Sequence, residues 1–266
     1  MGYALYATSY TNTMARRSRL SPSRVAARRR KRRFLGVGLS VIVLATLVGG
    51  TSYLSHRDEV TVKEIVIRGN SVVSEDELRG AVSMALDGTY LFLFPKKNVL
   101  WYPRGGVEAA ALSSFPRLKT ADVVTDDLQK IVLTVEERVP KGLWCGDEYR
   151  PPNGSDQCYF LDGEGFMYAD APDFSGNVFF RYFGELPTEG PAIGQQFLPA
   201  AEFGRLDFFR TTLTEERTET VALALVDGVD FELYLESGGK VMFKRDQNLS
   251  EIFETVQAVF SSEAFN

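Results

Sequence analysis

The chain has 266 residues, with 30 Lys and Arg against 35 Asp and Glu, and its formal net charge of −5 is unevenly spread. Residues 1–33 hold ten of the basic residues and no acid, which leaves 20 basic against 35 acidic residues, a formal −15, in the remainder. So acidic a bulk argues against nucleic acid as a partner and against a role lying flat on anionic lipid, and a single histidine, His56, leaves too few soft ligands for a zinc site.

Residues 1–27, rich in Ser, Thr, Ala, Tyr and Arg, show no apolar period and read as disordered. They lead into RRRKRR at Arg28 to Arg33, and together residues 1–33 form a basic tail. Residues 34–54, FLGVGLSVIVLATLVGGTSYL, carry no Asp, Glu, Lys, Arg or His. As a helix they would be roughly 31 Å long, the thickness of a bilayer's hydrocarbon core. Their Phe, Leu, Ile and Val residues contribute roughly −3 to −7 kcal/mol to insertion, with no charge in opposition. The positive-inside rule keeps the amino end cytoplasmic and exports the rest. A nucleic-acid-binding basic run does not explain the adjoining membrane-length helix. A cleaved signal peptide has a shorter apolar region ending in an A-x-A-like site, and a soluble core helix is not apolar on every face. Small residues four apart, Gly36 with Ser40 and Ala45 with Gly49, are a weak signal for close helix approach.

Beyond the span, Val60 to Ile67 alternates as a strand and Arg68-Gly69-Asn70 turns it. Ser74-Glu75-Asp76-Glu77 is a capping box that opens a helix to about Leu86, with Leu78, Val82, Ala85 and Leu86 on one face. A short apolar run, Leu91 to Phe94, ends at Pro95. A second helix is expected over Val107 to Ser114, followed by a hairpin of Val123 to Thr125 with Ile131 to Val135. Two such helices must pack on one face of a three-stranded sheet, leaving an edge open to a partner strand.

A second region begins near Pro140. Leu143 to Cys145 and Cys158 to Leu161 read as neighbouring strands, Asp162 to Gly165 as a turn into Phe166-Met167-Tyr168, and Val178 to Tyr182 as a further strand. Cys145 and Cys158 are open to three readings: a disulfide tying the loop between them, two free thiols, or, last, a metal site. A helix is expected from about Ala200 to Leu213, then strands Thr220 to Leu225, Phe231 to Leu235 and Val241 to Phe243, and an amphipathic helix from Asn248 to Ser261. The fold class is α+β: a tail, one span, a βααββ domain and a mainly β domain with helices on one side.

Val-Lys-Glu-Ile-Val-Ile-Arg-Gly-Asn at 62 to 70, the helix from Ser74, Phe115-Pro116 before Val123-Val124, and Thr134 to Pro140 ending at Trp144 together resemble the POTRA domain of the bacterial division family FtsQ/DivIB. The resemblance continues through Tyr159-Phe160-Leu161-Asp162 and Gly165-Phe166 into that family's second extracytoplasmic domain. It implies a division of the chain into a tail (1–33), a transmembrane helix (34–54), a POTRA domain (58–139) and a β domain (140–266). It also implies FtsB and FtsL as partners, other division proteins met through the POTRA domain, control of septal cell-wall synthesis, and no cofactor or small-molecule substrate. In the family a further strand follows the last helix at the edge where FtsB docks, whereas this sequence runs to Asn266. Either the sequence is a piece of a longer chain or docking uses a different edge, and for the second reading the strand Lys240, Val241, Met242, Phe243 and Lys244 is the candidate.

No residue set for catalysis is expected. His56 sits at the membrane exit, and neither phosphate-binding glycine motif is present. Glu136 and Glu137 are adjacent on a strand and point to opposite faces, while Asp126 and Asp127 belong to a turn. Trp101-Tyr102, Tyr149, Phe179-Phe180 and Phe208-Phe209 are read as core or rim packing. Two rivals to a non-enzymatic scaffold remain. A POTRA-bearing assembly or transport module would continue into a transmembrane barrel, and a membrane-anchored cell-wall enzyme would need convergent acid, base or nucleophile groups.

Overall fold

A computed structural model describes residues 24–150, 157–215 and 219–260, in two compact units that divide between Ser55 and His56. The described part of the first unit is one helix, α1 (Arg24–Ser55), whose stretch from Arg28 to Ser55 is long and apolar enough to cross a membrane. The Ser40, Thr46 and Thr51 hydroxyls donate to the carbonyls of Gly36, Ile42 and Leu47, so these three hydroxyls are satisfied within the helix. The disorder expected over residues 1–27 fails at Arg24 to Ala27, which are helical. Extending a nucleated helix is inexpensive, and Arg and Ala favour it. Residues 1–23 lie outside the described residues.

The second unit opens with a 3-10 turn and β1 (Glu64–Arg68), so the expected strand starts four residues late. Then come α2 (Glu75–Ala85), a small hairpin of β2 (Thr89–Tyr90) and β3 (Phe94–Pro95), α3 (Arg104–Ser114), β4 (Leu118–Asp127) and β5 (Lys130–Glu137). The sheet order is β1-β5-β4, with β1 parallel and β4 antiparallel to the central β5. Its helix-facing core is aliphatic: Ile67, Leu78, Val82, Val107, Ile131 and Leu133 are all buried in one cluster. Strand β4 is longer than the expected Val123 to Thr125, because alternation along it is broken by bulges at Leu118/Thr120 and Thr125/Asp127.

The capping box is corrected. Ser74 is the residue before α2, but its side chain caps nothing. Instead, Glu137 at the end of β5 accepts from the backbone N–H groups of Ser71, Val72 and Val73 at 2.6, 2.9 and 3.0 Å. The turn before it needs Gly69: φ is +88°, and a Cβ there would lie 2.1 Å from the Val135 carbonyl oxygen.

Past Pro140 run β6 (Gly142–Trp144), β7 (Cys158–Leu161), β8 (Met167–Ala171), β9 (Arg181–Phe183), α4 (Ala200–Glu215), β10 (Thr220–Val226), β11 (Asp230–Leu235), β12 (Lys240–Lys244) and α5 (Leu249–Phe260). The seven strands are ordered β12-β11-β10-β9-β6-β7-β8. Strand β9 begins at Arg181, three residues later than the expected Val178, and lies parallel to both β6 and β10. The core here is aromatic, with Tyr182, Phe197, Phe203, Phe209, Phe231 and Phe243 packed together. Gly165, at φ +79°, lets the Phe203 ring approach; a Cβ there would stand 2.7 Å from it. The pairing of Phe208 with Phe209 as core residues is corrected. Phe209 is buried, whereas Phe208, about a quarter turn around α4, is 74% exposed.

The sheets meet without a linker. Immediately after Glu137, Arg138 forms a buried ion pair with Asp162, and its guanidinium lies 4.0 Å from the centre of the Phe166 ring. The other Asp162 oxygen accepts from the N–H groups of Glu164 and Phe166. Lys119 with Glu164, and Arg117 over the Tyr168 ring, add to the junction.

Candidate partner-docking edges

A sheet edge binds through backbone groups that lack a neighbouring strand, and bulges, short length or cover make it unfit for that use. The expected strand Lys240–Lys244 is β12, and among the described residues it lies at one end of the seven-stranded sheet with β11 as its only neighbouring strand. Its five residues pair with Asp230 to Tyr234 in unbroken register. Alternation sets two faces. Phe243 is buried against the rings of Phe209 and Phe231, and Val241 is half-buried, whereas Lys240, Met242 and Lys244 are exposed, Met242 to 61%.

Charge at this edge is organised from β11. Glu232 accepts from Lys240 Nζ at 2.6 Å and from the Tyr234 hydroxyl at 2.5 Å. These two bonds, the lysine's first, hold the Glu232 carboxyl below its ordinary range, and burial together with the same carboxylate pushes Tyr234 upward. The Tyr234 ring stacks on Tyr149 at 3.7 Å, so Tyr149 seats the first part of the loop between β6 and β7 against β11. Cys145 and Cys158 are joined in a disulfide across the base of that loop, of which residues 151–156 lie outside the described residues.

The other edges are less regular. Strand β8, at the far end of the larger sheet, is bulged opposite Phe160 and Leu161. Strand β4 bulges twice, and β1 places a charged residue at either end of only five residues. Sequence reasoning named only β12 in the larger sheet; β8 is also an edge, because among the described strands it pairs with β7 alone.

The hairpin of β2 and β3 carries a feature that periodicity did not signal. Its turn closes with Leu93 N–H donating to the Tyr90 carbonyl, and both central residues, Leu91 and Phe92, have positive φ, 49° and 62°. Gly or Asn would fill such positions without strain, while bulky side chains there cost about 1 kcal/mol or more each. Leu91 is 81% and Phe92 97% exposed. Trp101 packs edge-on against Phe94 at the hairpin's base, 5.8 Å between ring centres.

The acidic pairs are dispersed. Glu137 binds the turn before α2, while Glu136 turns away to the Thr120 hydroxyl at 3.5 Å. Asp126 pairs with Lys130 at 2.9 Å, which holds its carboxyl below the usual range, and Asp127 caps the Leu128 N–H. His56 is the first residue after α1. Among the described residues there is no group of three or more His, Cys, Asp or Glu arranged to hold a metal.

No family model matches the chain. It is similar to the protein named Cell division protein FtsQ of Mycobacteroides abscessus, with 27% identity over 135 residues. That match takes in 50% of this chain and 38% of the relative's length. It agrees with the resemblance to FtsQ carried by the sequence, and the mixed α+β architecture behind one apolar helix is consistent with it.

Proposed function

We propose that the chain is a non-enzymatic, membrane-anchored scaffold of the bacterial division machinery, with its amino end cytoplasmic and residues 58–139 and 140–266 acting outside the membrane as a POTRA domain and a partner-binding β domain. One helix confines both sheets to a thin layer beside the bilayer and so raises their effective concentration for other membrane-bound proteins. On this reading FtsB and FtsL are the partners, the septum is the site of action, and the output is control of septal cell-wall synthesis.

The observation that carries the docking part is the unbroken β12 ladder at a sheet end, with an exposed Met242 between two lysines. A partner strand laid beside it gains main-chain hydrogen bonds, and an acidic residue on that strand suits Lys244, whereas Lys240 is already paired with Glu232. The experiment is capture of FtsB and FtsL by the full-length chain in detergent, compared with its Met242→Asp and Met242→Pro variants. Because Met242 is exposed, Met242→Asp should change stability by no more than about 0.5 kcal/mol, while Met242→Pro carries a further backbone cost and is read only where the variant folds; lost strand addition weakens capture by about tenfold or more, roughly 1.4 kcal/mol. Undiminished capture by both folded variants would remove β12 from the reading. A charge at Phe243 is uninformative, because that ring belongs to the core.

A further inference from the structure

We propose that the β2–β3 hairpin is a second membrane contact, with Leu91 and Phe92 entering the headgroup and acyl boundary of the bilayer that α1 spans. This rests on the membrane-anchor reading of α1 and adds a site to it. Three observations converge. The turn holds two large apolar residues at positive φ and almost wholly exposed, so neither backbone preference nor burial in the fold accounts for them. Around the tip, Gly88 to Pro103 carries two lysines, five aromatic residues and no acid, although the chain beyond α1 is strongly acidic; Lys97 is paired with Asp87 at the hairpin's base at 3.2 Å, so Lys96 is the cation nearer the tip. Lys96 lies over the Tyr90 ring, and Trp101 flanks Phe94, so cations and amphipathic rings surround an apolar point, the chemistry suited to an anionic headgroup layer.

The third observation is where the hairpin is rooted. Val62 N–H donates to the Lys97 carbonyl and Val99 N–H to the Val60 carbonyl, each at 2.9 Å, and Thr61 bridges to Asn98. The hairpin therefore stands on the segment that directly follows α1. Val60 is five residues from Ser55, a tether of at most roughly 18 Å, and Phe92 is four residues from Lys96, at most roughly 14 Å, so the tip's reach is comparable to the tether it has to offset. A pointed contact of this kind is compatible with an acidic bulk that repels anionic lipid over a broad face.

The test uses the full-length chain, its Phe92→Trp variant and a Phe208→Trp control in phosphatidylcholine–phosphatidylglycerol nanodiscs, with and without brominated acyl chains. Phe208 is exposed on α4 and far in sequence from the hairpin, so the control should keep a solvent-like emission. An interfacial depth of about 5–10 Å predicts a blue-shifted emission for F92W and loss of about half of the added fluorescence to bromine. A chain that enters nanodiscs while F92W stays unshifted and unquenched overturns the hairpin contact alone, and leaves the tip to a protein partner. A blue shift that grows with protein concentration without bromine quenching assigns the tip to a second copy and also overturns it. Equal quenching of F208W overturns it as non-specific adsorption. A chain that does not enter nanodiscs overturns the anchor reading and this contact together.

Discussion

The two sheets are held by different means. The first is a short-range assembly: three strands and two helices within about eighty residues enclose Val, Ile and Leu side chains, with the buried positions spaced by two or by three to four. The second draws on residues from Trp144 to Val256, fills its core with rings, and adds a covalent link between Cys145 and Cys158. Aliphatic alternation specifies a small fold locally, whereas a ring-filled core is specified by contacts between residues that the sequence places far apart.

That contrast can be broken by mutation. Phe203→Ala removes a fully buried ring that packs against Tyr182 at 4.9 Å and should cost about 4 kcal/mol. Hydrogen exchange should show loss of protection in β10 and β11 before β5 if the sheets are separable. Arg138→Ala leaves Asp162 buried without its cation and should cost about 3 to 4 kcal/mol in denaturant unfolding. Because the pair lies at the junction, both sheets should lose protection together, which would mark the limit of the contrast. Replacing both cysteines by serine should cost about 3 kcal/mol through the loop freed in the unfolded chain. Its effect should be confined to the second sheet, with amide protection at Leu133 unchanged.

The smallest effect sharpens the comparison on the first sheet. Burial opposes ionisation of Glu137, but the amides of Ser71, Val73 and Val72 outweigh it and hold the carboxyl below its ordinary value of 4.5. A lowered folded-state value means the stabilisation is fully present above the unfolded value and is lost as pH falls through the folded one. Glu137→Gln should therefore cost about 2 kcal/mol near neutral pH, and the variant and parent should converge in acid in pH-dependent denaturation.

Much of this architecture is legible from residue order alone. The aliphatic runs at Glu64–Arg68 and Lys130–Glu137 mark β1 and β5, and Leu249, Ile252, Phe253 and Val256 mark α5. What escapes is what depends on partners distant in sequence. Ser74 stands at the N-cap position but makes no side-chain cap, and the turn before the helix is instead held by Glu137, which lies more than sixty residues further along the chain. Arg181 to Phe183 form a strand only because β6 and β10 stand on either side of them. The candidate edge was readable as a strand, but its position at the sheet's end follows from the order of all seven. The hairpin tip was visible only as an apolar run, because positive φ at Leu91 and Phe92 runs against the residue preferences from which turns are read.

The parallel pairing of β1 with β5 has a mechanical consequence. The chain enters β1 from the anchor side, and β5 leaves directly into Arg138 and the second sheet. Tension between a membrane-held start and a partner-held sheet would pull the beginning of β1 and the end of β5 in opposite directions along the same axis. Five register pairs, Glu64↔Lys130 through Arg68↔Thr134, would then bear the load in shear, all together, rather than peeling one after another. On the proposed reading of the anchor and the docking edge, the first sheet is the element through which such a load would pass.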